Sequence, residues 1–177
     1  MTDPAAIEPG ASARPAQEGT GWSVRSAGAG DVASAAAAVE ELLVELGGRR
    51  PAREELETEI RALIQDPDEG VLLFAEADGE IVGVLGGSWQ RAIHVPGRYL
   101  TIQDLWVQRD WRSRGVGAGL VEAVAALARE QRVGRIEVGL PRETFEAIKA
   151  TEAFYEANGF ELLGVRMRRL LDDGGAP

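Results

Sequence analysis

The run Arg109-Asp110-Trp111-Arg112-Ser113-Arg114-Gly115-Val116-Gly117-Ala118-Gly119-Leu120 is the least ordinary stretch of the sequence. Arg109, Arg112 and Arg114 crowd cationic donors into a chain whose formal charge is −10, from 29 acids against 19 bases. Gly115, Gly117 and Gly119 stand where a strand gives way to a helix. A glycine inside a helix costs up to about 1 kcal/mol relative to alanine, so this spacing needs an offsetting gain. Bare glycine backbone at the positive end of a helix presents unpaired N–H groups, a ready surface for a phosphate or pyrophosphate. The chemistry predicted is main-chain capture of a diphosphate ester, with guanidinium groups close by.

A second chemical signal lies just upstream. Asp104 interrupts the largely apolar run Leu100-Thr101-Ile102-Gln103-Asp104-Leu105-Trp106-Val107. A carboxylate in such a strand needs a partner or carries a raised pKa, which suits it to proton transfer; Gln103 cannot act as a base. His94, the only histidine, is the other titratable candidate, in the loop before that strand. With no cysteine, the chain has no disulfide, thiolate metal site or cysteinyl acyl-enzyme available to it. One histidine removes multi-histidine metal sites, and no metal is expected. The acidic balance argues against generic binding to nucleic acid, since the phosphate interaction would be repulsive. No apolar run approaches the roughly 20 residues of a membrane span, so a membrane partner is not expected either. Apolar residues at 45% and charged residues at 27% are ordinary for a soluble domain, and a cytoplasmic location is the expectation.

Residues 1–21, rich in Pro, Gly, Ala and small polar residues, read as a disordered tail, and 172–177 as a flexible end. The working domain is 22–171. Within it, 22–26 is a short strand candidate. Asp31 is an N-cap candidate for a helix with Val32, Ala36, Val39, Leu43 and Leu46 at helical spacing, stopped by Gly47-Gly48. A second helix opens at Pro51, buries Leu56, Ile60, Leu63 and Ile64, and ends before Asp66-Pro67. Two apolar runs, 71–75 and 81–85, flank Asp78-Gly79, a strong hairpin signal. A loop over 91–97 precedes a third strand over 99–107. A helix over 116–131, a strand over 135–140, a helix over 144–157 closed by Asn158-Gly159, and a last strand within 160–171 complete the order β-αα-βββ-α-β-α-β. That order predicts an α/β fold whose central mixed sheet is antiparallel early, partly parallel late, and flanked by helices.

The glycine-rich segment is not a Walker loop, because no Gly-Lys-Ser/Thr follows. As a Rossmann fingerprint it is half complete: Gly115-x-Gly117 fits and Glu137 lies about 20 residues on, but Leu120 replaces the third glycine and 108–114 intervene after the strand. Arg112-Ser113-Arg114-Gly115-Val116-Gly117 resembles the coenzyme A pyrophosphate loop of the GNAT acetyltransferase superfamily, Gln/Arg-x-x-Gly-x-Gly/Ala. Ala153-Phe154-Tyr155-Glu156-Ala157-Asn158-Gly159-Phe160 is similar to that superfamily's late motif, a helix bearing Phe/Leu-Tyr that ends in Gly-Phe. The two motifs and the element order cover about 150 residues.

The resemblance implies an acetyl-CoA-dependent N-acetyltransferase that transfers acetyl to a primary amine by direct attack. It implies that Arg112, Arg114, Gly115, Val116, Gly117, Ala118 and Gly119 hold the pyrophosphate. Leu105, Trp106 and Val107 would pair through their main chain with the pantetheine amides, as a missing strand would, where a bulge splays two parallel strands. Tyr155 would protonate the leaving thiolate, and Asp104 is the candidate base. Many members carry Asn seven residues before that tyrosine and Ala four before it, whereas Ile148 and Thr151 stand there in this chain. Those departures leave room for a silent acyl-CoA-binding sensor or interaction module. Glu40, Glu41, Glu45, Glu54, Glu55, Glu57 and Glu59 make the helical pair acidic. They form a solvated face or, where they meet the cleft, favour a cationic amine, small molecule or peptide. Trp89, Arg91, Ile93, His94 and Tyr99 could shape the acceptor pocket, and a homodimer is a family-based expectation.

Overall fold

The computed structural model describes residues 21–47 and 50–164, in two compact units, Met1–Val138 and Gly139–Pro177. The first unit is built on one sheet of strand order β1-β2-β3-β4-β5: β1 Ser23–Ser26, β2 Gly70–Ala77, β3 Glu80–Ala92, β4 Val95–Val107 and β5 Ile136–Val138. The pairs β1·β2, β2·β3 and β3·β4 are antiparallel and β4·β5 is parallel, the mixed sheet expected from the element order. Helices α1 Val32–Leu46, α2 Arg53–Gln65 and α3 Val116–Glu130 pack on it.

The two faces of the sheet carry separate cores. On one, Val32, Ala35, Ala36 and Ala38 of α1 and Ile60 of α2 meet Leu72, Phe74 and Val84, with Leu56, Leu63, Ile64 and Trp106 packed beside them. Small alanines let α1 approach the sheet closely while α2 supplies the bulk. On the other face, Val116, Leu120, Val121, Val124 and Ala128 form the buried stripe of α3. A Cβ on Gly83 of β3 would stand 3.0 Å from Val116 Cγ1 and 3.1 Å from Leu120 Cδ1, so α3 rests directly on glycine backbone.

Asp31 does start α1, but its side chain makes no cap to it. Its carboxylate instead accepts from Arg25 at 2.8 and 3.0 Å and from the Gly28 N–H at 2.7 Å, and Arg25 also reaches Glu76 at 2.6 Å. The Arg25 hydrogen bonds hold the Asp31 carboxyl below its ordinary value. At α2 the Glu55 carboxylate takes the Ala52 N–H at 2.7 Å, half of a capping box.

The expected loop over 91–97 is instead a continuation of the hairpin. Gln90 pairs with Tyr99, Arg91 with Arg98 and Ala92 with Val95, leaving only Ile93 and His94 at the turn. Pro96 and Gly97 punctuate the sequence like a loop. They occupy a register shift on one strand, where Pro needs no ladder N–H and Gly97 takes φ +84°.

The second unit contains α4, Ile148–Ala157, four residues later in its start than the expected 144. Its end is a Schellman motif: Phe160 N–H donates to the Tyr155 carbonyl at 3.0 Å and Gly159 N–H to Glu156 at 3.0 Å, with Gly159 at φ +83°. The hydrophobic contact of that motif is Tyr155 against Phe160, ring centroids 5.3 Å apart. Of the expected last strand over 160–171, residues 160–164 are irregular, and the rest lies outside the described residues, as do 1–20 and 172–177.

Candidate active site

β4 loses its parallel partner half way. β5 pairs with Leu100, Thr101 and Ile102 alone, while β3 follows β4 to Val107, opposite Gly83. The ladder to β3 is broken where Gly86 faces Asp104 and Gly87 faces Ile102, so Gln103 is a bulged residue without an opposite number. Beyond that bulge, 103–107 present one edge with no strand partner among the described residues. The bulge expected beside the parallel pair is therefore present in the backbone, and the parallel pairing ends at Ile102.

After β4, a 3₁₀ turn at Arg109–Trp111 and the loop 112–115 lead into α3. Ser113 at φ +59° and Gly115 at φ +80° are both left-handed, and Gly115 is the N-cap residue of α3, with no side chain capping it. Only with Gly119, whose N–H donates to the Gly115 carbonyl at 2.9 Å, does the helical ladder begin. The amides of Val116, Gly117 and Ala118 have no partner among the described residues. These three and the Gly115 N–H are the groups able to hold a pyrophosphate. The Gly119 amide is already engaged, and that glycine has a different reason to be there: a Cβ on it would stand 2.2 Å from Cη2 of Trp22.

The arginines divide. Arg112 is tied down by the protein itself, its Nε donating to the Val107 carbonyl at 2.9 Å and its Nη2 to Glu45 Oε1 at 2.5 Å. Arg114 lies with its guanidinium 5.2 Å from the centroid of Trp111 while its carbonyl accepts from Trp22 Nε1 at 3.3 Å. Both are exposed, and Arg114 is the one with no ion-pair partner among the described residues.

Asp104 and Trp106 project to the α1/α2 face of β4, Leu105 to the other. The Asp104 carboxylate lies over bare Gly86, whose missing Cβ would be 3.6 Å from Asp104 Oδ2 and 3.8 Å from Leu72 Cδ1. No hydrogen bond or ion pair among the described residues reaches it, and burial raises its pKa. The buried indole N–H of Trp106 has no partner either. Two residues along β3 from Gly86, on the same face, Ser88 lines a cleft of about 570 Å³ together with Glu59, Gln65, Asp66 and Glu69. Of the acids on the helical pair, Glu40 and Glu57 are paired with Arg53, Glu57 also with Arg61, and Glu45 with Arg112; Glu59 is the one that lines this cleft.

Of the other expected acceptor residues, Trp89 stands beside this cleft, its main-chain N–H donating to the Glu69 carbonyl at 2.9 Å. Trp89 donates to the Pro67 carbonyl at 3.0 Å and has Arg98 over its ring at 5.4 Å. With Tyr99 and Arg91 it belongs to the far half of the β3–β4 hairpin, with Ile93 and His94 at its tip. The 13 residues of β4 put about 40 Å of strand between that tip and Val107. In the second unit, Tyr155 is 7% exposed, its ring edge-on to Phe154 (5.0 Å) and Phe160, and its hydroxyl has no hydrogen bond among the described residues. Burial pushes its pKa up to about 12. Thr151 returns its hydroxyl to the Ala147 carbonyl at 3.1 Å, and Ile148 opens α4. Sequence reasoning missed Trp22 and the tie from Arg112 to Glu45, neither of which has a local signal; the bulge was expected from the resemblance, and the structure puts it at Gln103.

No histidine, aspartate or glutamate group among the described residues is arranged to hold a metal ion. Nor is any helix among them long and apolar enough to cross a membrane.

The sequence matches no curated protein. The fold is shared with a ribosomal-protein-alanine N-acetyltransferase of Brucella melitensis biovar Abortus 2308 (18% identity, TM-score 0.68, covering 85% of this chain and 99% of that one). It is shared too with an aminoglycoside acetyltransferase from an uncultured soil metagenomic sample, solved with sisomicin (16%, 0.68, 86% and 97%). A third is a predicted acetyltransferase of Clostridium acetobutylicum solved with acetyl-CoA (15%, 0.69, 84% and 96%). The acetyltransferase (GNAT) family matches residues 36–160, which takes in the glycine loop, the bulged strand and the Phe-Tyr helix; the chain belongs to that family.

Proposed function

We propose that the chain is a cytoplasmic N-acetyltransferase that moves acetyl from acetyl-CoA to a primary amine by direct attack, and that the amine is cationic. The observation that carries this reading is the row of unpaired amides at Val116, Gly117 and Ala118, behind left-handed Gly115 and next to the unpartnered edge of β4. A diphosphate fits the first, and an extended amide-bearing arm fits the second. When bound, acetyl-CoA supplies an acetyl group already activated as a thioester.

The chain's own residues have the following tasks. The amides from Gly115 to Ala118 hold the phosphates, and Arg114 adds an exposed cation. Main-chain groups of Leu105, Trp106 and Val107 orient the arm; the Val107 carbonyl already serves Arg112, which leaves the pairing chiefly to its neighbours. Asp104 takes a proton from the acceptor ammonium and so frees the amine lone pair to attack, for which a lone, partly buried carboxylate of raised pKa is suited. Tyr155 returns a proton to the thiolate. Its support is local: an unbonded hydroxyl that stays protonated at neutral pH. Glu59, Asp66 and Glu69 around the cleft beside Ser88 support a cationic acceptor, since no basic residue lines it.

The test is CoA binding by calorimetry and acetyl-CoA consumption against a panel of polyamines, aminoglycosides, lysine peptides and neutral amines. Turnover on cationic amines that is lost in Tyr155→Phe supports the enzyme. Tight CoA binding with no turnover on any amine would instead make the chain an acyl-CoA-binding module.

A further inference from the structure

Gly119 is one turn into α3, its N–H is spent on the helix, and nothing in phosphate binding calls for a glycine there. What occupies the space is Trp22, which immediately precedes β1. A Cβ on Gly119 would stand 2.2, 2.7 and 3.4 Å from Cη2, Cζ3 and Cζ2 of that indole, and one on Gly115 3.9 Å from Cζ2. The same ring donates its N–H to the Arg114 carbonyl at 3.3 Å. Arg114 sits between two left-handed residues, Ser113 and Gly115, so its peptide planes are the ones that decide how the loop enters the helix. The Arg114 carbonyl and the Gly115 N–H belong to one rigid peptide plane and point in opposite directions. Fixing the carbonyl on Trp22 therefore aims the Gly115 N–H away from the indole, and the stack of Arg114 on Trp111 holds the other end of the same residue.

From this we infer that Trp22 is a positioning residue for the CoA loop: its indole, seated in the notch left by Gly119 and bonded to Arg114, sets the direction of the phosphate-binding amides. The role rests on the CoA assignment above, and no contact of Trp22 itself with the cofactor is required. It makes Gly119 and Trp22 a matched pair drawn from opposite ends of the first unit.

The test titrates CoA into wild type, Trp22→Phe, Trp22→Ala, Gly119→Ala and the double variant Trp22→Ala/Gly119→Ala, with a thermal melt of each. Trp22→Phe keeps most of the ring and loses the N–H, so CoA Kd rises roughly two- to tenfold, the worth of one hydrogen bond, at a nearly unchanged melting temperature. Gly119→Ala weakens CoA binding and lowers the melting temperature, and the double variant regains part of both relative to Gly119→Ala alone. A purely structural tryptophan would move the melts and leave Kd where it was, and that result overturns the role. So does a Gly119→Ala protein as good as wild type. If wild type itself binds no CoA, the function proposed above falls and this role with it, whereas wild-type binding with equal Kd in Trp22→Phe and Trp22→Ala overturns the positioning role alone.

Discussion

Arg112 and Glu45 are joined at 2.5 Å across 67 positions of sequence, the arginine also holding the carbonyl of Val107. The end of α1 is thereby tied to the end of β4, at the entrance to the glycine loop. With side chains 41% and 29% exposed, the ion pair is worth about 0.2–1 kcal/mol and the bond to Val107 about 1 kcal/mol more. Glu45→Gln is expected to cost under about 1 kcal/mol of stability and Arg112→Ala up to about 2 kcal/mol, by denaturant titration. Neither should abolish CoA binding. Loss of all detectable binding in Arg112→Ala, with the fold intact, would make Arg112 a direct phosphate ligand instead.

Asp104→Asn should separate stability from activity. Burial holds the folded-state carboxyl above its unfolded value, so between the two values the folded chain binds more protons than the unfolded one. Its contribution is then most favourable below the unfolded value and is lost as pH rises through the folded value. At pH 7 the asparagine variant is expected to melt higher than wild type, the gap narrowing as the pH falls toward about 4. Turnover should fall by roughly 10²–10⁴. Melts and rates across pH check both, and an unchanged rate removes Asp104 as the base.

Gly117→Glu places a carboxylate among the free amides and should remove CoA binding while circular dichroism stays that of the wild type. Gly115→Ala forces a Cβ into φ +80°, at a cost of about 1 kcal/mol in stability, and should weaken binding less completely. Calorimetry with CoA ranks the two, and the opposite ranking would mean that loop geometry outweighs the charge of the site.

For Tyr155→Phe the expected result is CoA affinity within about twofold of wild type and kcat lower by about 10² or more. Because its hydroxyl has no hydrogen bond among the described residues and burial pushes its pKa up to about 12, the variant should be at least as stable as the parent. Any alkaline fall in activity below about pH 11 then belongs to another group. A pH–rate profile of both proteins checks this, and an alkaline limb present in wild type and absent from the variant would contradict it.

Helices, strands and the two glycine-bearing turns were legible because their causes are local. Apolar spacing places Val116, Leu120 and Val124 on one side of α3 whatever they touch, and Asn158-Gly159-Phe160 encodes its own Schellman turn within six residues. The open amides of α3 follow from a glycine that alone tolerates φ +80°. The loop read over 91–97 failed because pairing with the opposite strand absorbed Pro96 and Gly97 into an irregularity, a long-range gain that local punctuation does not report.

The sequence by itself determined the order of most elements and where bare backbone would meet a phosphate, since both depend on neighbours within a turn or two. Only the tertiary structure decided what each polar group is left to do. It withdrew Arg112 to Glu45, gave Gly119 to Trp22, and left Asp104 without a partner over Gly86. Those outcomes depend on distances between residues far apart in the chain, and a side chain's chemistry follows from whether it has been paired, buried or left open there.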